Sequence, residues 1–532
     1  MVKARSKCGV FGIWENFNEE IDEFGAYTSS YLIRRRCSSI QDILSPYTNI
    51  EDVLKGLKSL QHRGRESCGI AYINDKSETR SKIRSPSDND IIVVKKHGLV
   101  SGLMETMSSP LNLNTSMPSQ WIYSYGVIGH VRYSTSGSKD STDVIQPLQA
   151  SDGSFALAHN GNIPNIETLK SRLGKDISLK FISSSVKNMN DTGLLCLILE
   201  LMGIEEGIRY ILDYIPGAYS LIILTKDAMY LVRDPYGFKP LCWAKIDSLS
   251  HSDISVDLRP EDCKWYASSE NSAIRNIFAS FGDIVETRDV PPGTAYRIDK
   301  SGLREIYHKE AERKSLCSFE FVYFMYYKTT SDTLYVDDIR NELGRQMVIN
   351  DKSIYPENTI VVGSPNSGIS YAKAYSKYSK IRYNLKTLQK QHKERTFILP
   401  TNGERISKIK KIMIADRSII EGNEVILIDD SVVRGNTIRH VIQLLRDNGA
   451  LKVHVRIAFP KIISPCYYGI DFPTYDELIG HKNSTSDICK IIGSDTLEFT
   501  SVKTLQKTLK NDIGDVCVSC LTDEHDLSKY DW

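Results

Sequence analysis

The stretch VILIDDSVVRGNT, Val425 to Thr437, decides the fold of the carboxyl-terminal half. VILI is apolar on both faces, as a strand buried inside a parallel sheet must be. Such sheets bind ligands beyond the carboxyl ends of their strands, and Asp429 and Asp430 stand at that end. SVVRGNT then turns into a helix beginning near Thr437. The first turn of a helix offers free backbone N–H groups and a positive dipole end. Gly435 allows close backbone approach, and Ser431, Asn436 and Thr437 add short polar side chains. Together these residues predict a phosphate cradle beside two acids. Carboxylates repel phosphate, so the acids need another task. Accepting hydrogen bonds from sugar hydroxyls, or holding a magnesium ion, would fit. The ligand inferred is a phosphorylated sugar. The plainer reading of the same residues is a strand end and a capped helix.

Working outward, NTIVVGS reads as a strand, GISYAKAYSKYS as a helix, NTIRHVIQLLRDNGA as a helix closed by Gly449, and LKVHVRIAF as a strand. Strand, helix, strand in succession predicts a βαβ unit and a parallel sheet. The first half has another rhythm. CGVFGIW, SCGIAYI, YGVIGHVRYS, FALAHNG, YSLIILT, AMYLVRD and WYASS are short, rich in β-branched and aromatic residues, and end in turn formers. Two helical patterns interrupt them, near EDVLKGLKSLQ and GLLCLILELMG. This predicts packed sheets with helices outside, an α+β arrangement. Segments 74–90 and 245–262 read as loops, and the boundary between halves falls between Pro292 and Cys317. The expected division is 1–7, 8–300, 301–500 and a tail, 501–532.

The opening stretch resembles the signature of the type I phosphoribosyltransferases. The resemblance implies that Asp429 and Asp430 meet the ribose hydroxyls of phosphoribosyl pyrophosphate (PRPP). It implies too that Ser431, Val432, Val433, Arg434, Gly435, Asn436 and Thr437 wrap the 5-phosphate. Two regions depart from that family. The pyrophosphate loop is VVGSPNSG, where Ser364, Asn366, Ser367 and Gly368 still suit a phosphate-facing turn but the usual acid is gone. The lid reads LQKQHKERTFI. RTFI is intact, and Lys386, Lys390, Lys393 and Arg395 keep it basic enough to neutralise a diphosphate, with Lys390 and Arg395 assigned to the substrate. A solvated charged loop is the bland alternative. Arg340 and Gly344 match family positions and receive no chemistry.

In the first half, CGVFGI begins at Cys8, LQHRGRESCGI contains Arg63, GHVRYSTSG contains Arg132, and HNGN contains Asn160 and Gly161. A lone cysteine on an apolar strand is usually packing. A nucleophile attacking a carboxamide needs a base and an oxyanion site. Asn160 and Gly161, expected in a tight turn, can donate to a developing oxyanion. Arg132 can hold an amino-acid carboxylate, Asp191 its ammonium, and Arg63 can orient the backbone around Cys8. With RDPYGFKPL and ASSEN, the set resembles the glutaminase domain of the N-terminal-nucleophile amidotransferases, a layered αββα fold. There the cysteine is the first residue of the mature chain and its α-amine is the base. Such amines titrate near neutrality. Seven residues precede Cys8 here, so the resemblance implies that 1–7 form a propeptide. The family often has a glutamate where this chain has Gly193.

Both halves together resemble the amidophosphoribosyltransferase family. The activity implied is glutamine, water and PRPP giving phosphoribosylamine, glutamate and pyrophosphate, the committed step of de novo purine synthesis. Ammonia loses its nucleophilicity on protonation, so an enclosed channel between the sites is expected. The family also implies magnesium-bound PRPP, a homotetramer, and purine nucleotides as feedback inhibitors. The alternatives are a glutamine-dependent transferase on another phosphosugar and a PRPP- or nucleotide-sensing homologue with a decayed site.

Cys517 and Cys520 form a Cys-x-x-Cys pair, Cys317 opens CSFEFVYF, and Cys466 lies in SPCYYGID. Four thiolates from these places suit iron–sulfur or zinc, and sulfur ligation alone leaves that choice open. One branch of the family carries a structural 4Fe–4S cluster on cysteines in these contexts, and that branch usually makes the propeptide. Cys37, Cys68, Cys196, Cys242 and Cys263 are expected to be packing or surface thiols.

The 532 residues, 41 % hydrophobic and 25 % charged with a net charge of +1, fit two to four soluble domains. The charge balance argues against nucleic acid as a partner. No apolar run reaches ~18 residues, so no membrane span is expected. The start is too soon acidic for a secretory signal. Eleven cysteines in so long a chain do not make a disulfide scaffold, and a cytoplasmic location is expected.

Overall fold

The computed structural model describes residues 6–16, 48–74, 90–108, 124–134, 144–176, 189–247, 263–279, 286–311, 313–390, 413–470, 472, 474–510 and 515–525. The chain forms two compact units. One holds the residues up to Lys314 together with the short segment 467–471. The other holds Ser315–Cys466 and Phe472–Lys529.

The first unit is built on two antiparallel sheets. The seven-stranded sheet runs in the order Arg288–Asp289, Cys242–Asp247, Cys263–Ser268, Ser6–Glu15, Gly126–Ser134, Ser67–Asn74, Asp90–His97. The six-stranded sheet runs Gly302–His308, Thr294–Asp299, Met229–Arg233, Ala218–Thr225, Phe155–Asn162, Leu148–Gln149. Alternation along each strand assigns its side chains to layers. Val10 and Trp14 enter the core between the sheets with Ala156, Ala158, Ile222 and Leu224. Phe11 and Ile13, one residue out of step, pack outward against Val53 and Leu57 of the helix Thr48–Ser59 and Ile274 of the helix Asn271–Phe278. Tyr219, Leu221 and Ile223 pack under Leu194, Leu195 and Ile198 of the helix Asp191–Met202. The result is the expected layered αββα arrangement.

The strand Cys242–Asp247 corrects one expectation, while Gly302–His308 precedes a boundary that falls within the expected range, at Lys314/Ser315. The first runs into the segment read as a loop, of which 248–262 lie outside the described residues. The second is an edge strand inside the charged stretch read as a boundary. Its charges face water, as edges require. The loop expected over 74–90 lies almost wholly outside the described residues.

The second unit carries a five-stranded parallel sheet ordered Arg382–Tyr383, Thr359–Gly363, Glu424–Asp429, Lys452–Ile457, Thr496–Phe499. Val425 and Leu427 are fully buried on one face with Ile360, Val362, Val453 and Val455. The helix Asn436–Asp447 lays Ile438, Val441, Ile442 and Leu445 on that face, a spacing of one helical stripe. Fully burying each such side chain is worth about 1.5–3 kcal/mol. Among the described residues no helix is long and apolar enough to cross a membrane.

Candidate functional sites

In the first unit, Cys8 lies in the strand Ser6–Glu15, buried, with Arg132 opposite it in the neighbouring strand. Arg63 reaches the backbone of Cys8: its Nε donates to the Cys8 carbonyl at 2.9 Å. That guanidinium is fixed from behind by Glu270, whose Oε1 accepts from Arg63 Nη1 at 2.7 Å and contacts His62 Nε2 at 2.9 Å. Burial pushes the Glu270 carboxyl up, but His62 and Arg63 overcome it and hold the group well below the usual carboxylate range.

Asn160 and Gly161 are not in a tight turn. They close the strand Phe155–Asn162, with Asn160 opposite Ser220 and Gly161 opposite Tyr219. The glycine is demanded by close approach, since a Cβ there would meet the Ala218 carbonyl oxygen at 2.0 Å. Asn160 is fully buried. Its Nδ2 lies 3.4 Å from Ser269 Oγ, and the same hydroxyl accepts from Val10 N at 3.0 Å. Ser269 therefore ties the Asn160 amide to the backbone two residues beyond Cys8.

Asp191 begins its helix behind the Asn190 cap, where Asn190 Oδ1 accepts from Gly193 N at 2.8 Å. It stands 4.0 Å from His159 Nδ1, beside Asn160 in the chain. Burial keeps the His159 imidazole neutral, lowering its pKa despite the Asp191 charge. RDPYGFKPL is a fixed loop. The Asp234 carboxylate accepts from the N–H groups of Tyr219, Tyr236, Phe238 and Lys239, and burial pushes its pKa up to about 6.

In the second unit, Asp429 and Asp430 are both buried at the carboxyl end of the strand Glu424–Asp429. Burial, and then the like charge of Asp430, push Asp429 well above the usual range, while the Asp430 N–H and the Ser364 hydroxyl pull it back. Such a pair is best relieved by a cation or by donors such as sugar hydroxyls. Ser431 Oγ donates to Asp430 Oδ2. Two backbone turns flank the acids. On one side Ser364 N donates to the Ile428 carbonyl at 2.8 Å, and Gly368 follows. A Cβ on Gly368 would lie 2.4 Å from that carbonyl oxygen and 2.7 Å from Ser364 N. On the other side Gly435, at φ +78°, turns the chain into the helix Asn436–Asp447 without a capping side chain. Among the described residues no side chain caps the first turn beside exposed Asn436 and Thr437, an arrangement that suits an anion. Val432 anchors this loop in the core, Ile479 N donates to the Val433 carbonyl at 3.0 Å, and Arg434 pairs with Glu477 at 3.4 Å. Asn366 is exposed and Ser367 half-buried. Lys390 is exposed at the end of the strand Leu388–Lys390, and Arg395 lies outside the described residues.

Cys317 and Cys517 face each other in register in a two-stranded parallel ladder, Ser315–Cys317 with Asp515–Cys517. The Cys520 carbonyl accepts from Ile463 N at 2.9 Å and Ser464 N at 3.1 Å, which brings in the segment of Cys466. Burial, then the thiols of Cys466, Cys517 and Cys317, push the Cys520 thiol up. The four thiols thus share one neighbourhood, although among the described residues no group of three or more His, Cys, Asp or Glu side chains is arranged to hold a metal ion. Cys68, Cys196, Cys242 and Cys263 are buried, and burial lifts Cys68 and Cys196 to about 12. Cys37 lies outside the described residues.

Ser269 and Glu270 were not assigned a role from sequence. ASSEN marked the place, but nothing in it shows that a carboxylate reaches Arg63 across 207 positions.

Comparison with known proteins agrees with both units. Residues 130–252 match the family model of a glutamine amidotransferase domain. The chain is 33% identical over 491 residues to the amidophosphoribosyltransferase of Methanocaldococcus jannaschii, covering 88% of this chain and 93% of that one. It is 31% identical over 534 aligned positions to that of Bacillus subtilis, covering 98% and 95%. The structure matches the glutamine PRPP amidotransferase of B. subtilis complexed with ADP and GMP, with a TM-score of 0.73 at 29% identity, covering 98% and 97% of the two chains. With such identity along nearly its whole length, the chain belongs to the amidophosphoribosyltransferase family.

Proposed function

We propose that this chain takes the amide nitrogen of glutamine and places it on PRPP, giving phosphoribosylamine, glutamate and pyrophosphate. The observation that carries this reading is the buried Asp429–Asp430 pair between two amide-lined turns, in a chain whose other unit holds Cys8 by its carbonyl. The Cys8 thiol attacks the glutamine carboxamide, forming a thioester and releasing ammonia; water then hydrolyses the thioester, which releases glutamate and restores the thiol. Its base is the Cys8 α-amine, freed when residues 1–7 are removed; an amide nitrogen cannot accept that proton. Asn160 Nδ2 and the Gly161 N–H stabilise the oxyanion. Arg132 and Asp191 hold the substrate's carboxylate and ammonium. In the second unit Asp429 and Asp430 take the ribose hydroxyls and the 5-phosphate rests on 431–437. Pyrophosphate leaves against Ser364, Asn366, Ser367 and Gly368, with Lys390 and Arg395 offsetting its charge. Ammonia attacks the anomeric carbon as pyrophosphate departs.

Two inorganic groups belong to the proposal. Asp429 and Asp430 would hold a magnesium ion accompanying PRPP, which would offset the diphosphate charge. Cys317, Cys466, Cys517 and Cys520 would hold a 4Fe–4S cluster, whose role would be structural, tying the tail to the unit. The fit rests on the donor set: four thiols gathered by a ladder and by the Cys520 carbonyl bonds. Purine nucleotides as inhibitors, a homotetramer and a cytoplasmic location complete the reading; the ADP and GMP of the B. subtilis structure favour the first.

The test is PRPP-dependent glutamate release from glutamine, run beside Cys8→Ala. Wild type should release glutamate, and the variant should lose this yet still consume PRPP with added ammonia. PRPP turnover with neither nitrogen source would overturn the reading.

A further inference from the structure

We infer that Glu270 is the positioning residue of the glutaminase half-reaction, and that with Ser269 it sets both the nucleophile and its oxyanion donor from one dipeptide. The inference rests on the glutaminase reading of Cys8 above. Glu270 is buried and precedes the helix Asn271–Phe278. Its own N–H donates to Ser268 Oγ at 3.1 Å, so the carboxylate leaves a braced backbone. From Oε1 a continuous path runs through Arg63 Nη1 at 2.7 Å and Arg63 Nε at 2.9 Å to the Cys8 carbonyl. Arg63 is itself buried, and a buried guanidinium needs a partner charge. Glu270 supplies that charge, and its removal frees Arg63 to rotate away from Cys8.

The adjacent residue works on the opposite side. Ser269 N donates to the Val10 carbonyl at 3.0 Å, and Ser269 Oγ accepts from Val10 N at 3.0 Å. The same hydroxyl holds one N–H of the Asn160 amide at 3.4 Å. The other N–H of that amide remains for the oxyanion, while Asn160 Oδ1 is buried and finds no hydrogen-bond partner among the described residues. An amide left half-satisfied depends on its single tie for orientation. The distance between thiol and oxyanion donor is therefore set by residues 269 and 270, which act through Arg63, Val10 and Asn160.

The experiment compares wild type with Glu270→Gln, which keeps the size and one acceptor oxygen but removes the charge. Glutamine-dependent turnover should fall about 10- to 100-fold, the effect of a small misplacement of reacting groups. The fall should appear in kcat with little change in the glutamine KM, because Glu270 positions Cys8 and not the substrate. Alkylation of Cys8 by an electrophilic glutamine analogue should slow in parallel. Ammonia-dependent turnover of PRPP should stay at the wild-type rate, and the double variant with Arg63→Gln should be no worse than Arg63→Gln alone. Unchanged glutamine turnover in Glu270→Gln would overturn the inference. Equal loss with glutamine and ammonia would also overturn it, since that marks a general folding defect. Wild type that releases no glutamate would instead sink the glutaminase reading itself.

Discussion

Gly368→Ala tests the phosphate turn at the point where space is least. The backbone of Gly368, at φ −72° and ψ −12°, is one any residue adopts, so the substitution brings no dihedral strain. The obstacle is position. The new methyl group would sit 2.4 Å from the Ile428 carbonyl oxygen and 2.7 Å from Ser364 N, crowding both partners of a 2.8 Å hydrogen bond from one side. Neither atom is on a flexible side chain, so the turn itself must swing off the strand carrying Asp429. Losing that bond costs about 1 kcal/mol, and forcing a methyl into filled space about 1–3 kcal/mol. Binding PRPP has to restore the turn against that total of about 2–4 kcal/mol. At tenfold per 1.4 kcal/mol, affinity falls roughly 30- to 1,000-fold.

The assay is ammonia-dependent phosphoribosylamine formation as a function of PRPP concentration, which bypasses the glutaminase half. Cys8 alkylation by a glutamine analogue serves as the control and should match wild type, because Gly368 and Cys8 belong to different compact units. A Gly368→Ala protein with a wild-type PRPP KM would refute the steric reasoning, and with it the assignment of 364–368 to the substrate.

Three further outcomes are expected. Gly161→Ala, whose methyl would fall 2.0 Å from the Ala218 carbonyl oxygen, should open the end of its strand and abolish glutamine-dependent turnover; retained turnover would show that the strand end is dispensable. Cys520→Ser should leave purified protein without iron and render the tail from Asp515 sensitive to protease, read by metal analysis and limited digestion. His130→Asn should weaken the acid sensitivity of the fold. Burial, aided by the Arg132 charge, lowers His130 to about 3, so the unfolded chain takes up the proton first. Its stability contribution is complete above the unfolded pKa of about 6.5 and is lost as pH falls towards 3, by about 1.4 kcal/mol per pH unit. Asp234, raised to about 6, acts in the opposite direction, gaining stability as pH falls through 6, but equally in both proteins. Denaturant midpoints at pH 7 and pH 5 should therefore converge in His130→Asn relative to wild type.

The parallel sheet was legible because VILIDD carries its chemistry at a strand end, and period and position agree. HNGN misled. Asn and Gly are turn formers by local preference, yet here Gly161 is chosen by its neighbour across the ladder, a contact 58 positions away that no local pattern encodes. The strands Asp90–His97 and Gly302–His308 escaped because both end their sheets; edge strands carry charge and lose the alternation that betrays a strand. The four cluster-type cysteines stood out by context, but their meeting depends on a ladder between Ser315–Cys317 and Asp515–Cys517, close to 200 residues apart. Glu270 was hidden for the same reason: its charge has meaning only beside Arg63.

The second unit also joins its cysteine strand to its phosphate turn by short steps. Three residues after Cys317 the chain enters a π-helical turn, Glu320–Phe324, a form that often marks functional sites. Arg340 holds that turn from both ends, donating to the Phe321 carbonyl at 3.1 Å and the Met325 carbonyl at 2.7 Å. Tyr371 grips its middle through the Val322 carbonyl at 2.8 Å, and Tyr371 rises from the helix Ile369–Ser379, which follows directly on Gly368. Its hydroxyl lies within the electrostatic reach of Arg340, Asp430 and Asp429. Anything that loosens Cys317 therefore pulls on the turn that borders the acid pair. The order of failure in Cys520→Ser follows from this path: PRPP affinity in the ammonia assay should weaken, while alkylation of Cys8 stays unchanged. Loss of Cys8 alkylation with PRPP affinity intact would show that the cysteines serve the first unit instead.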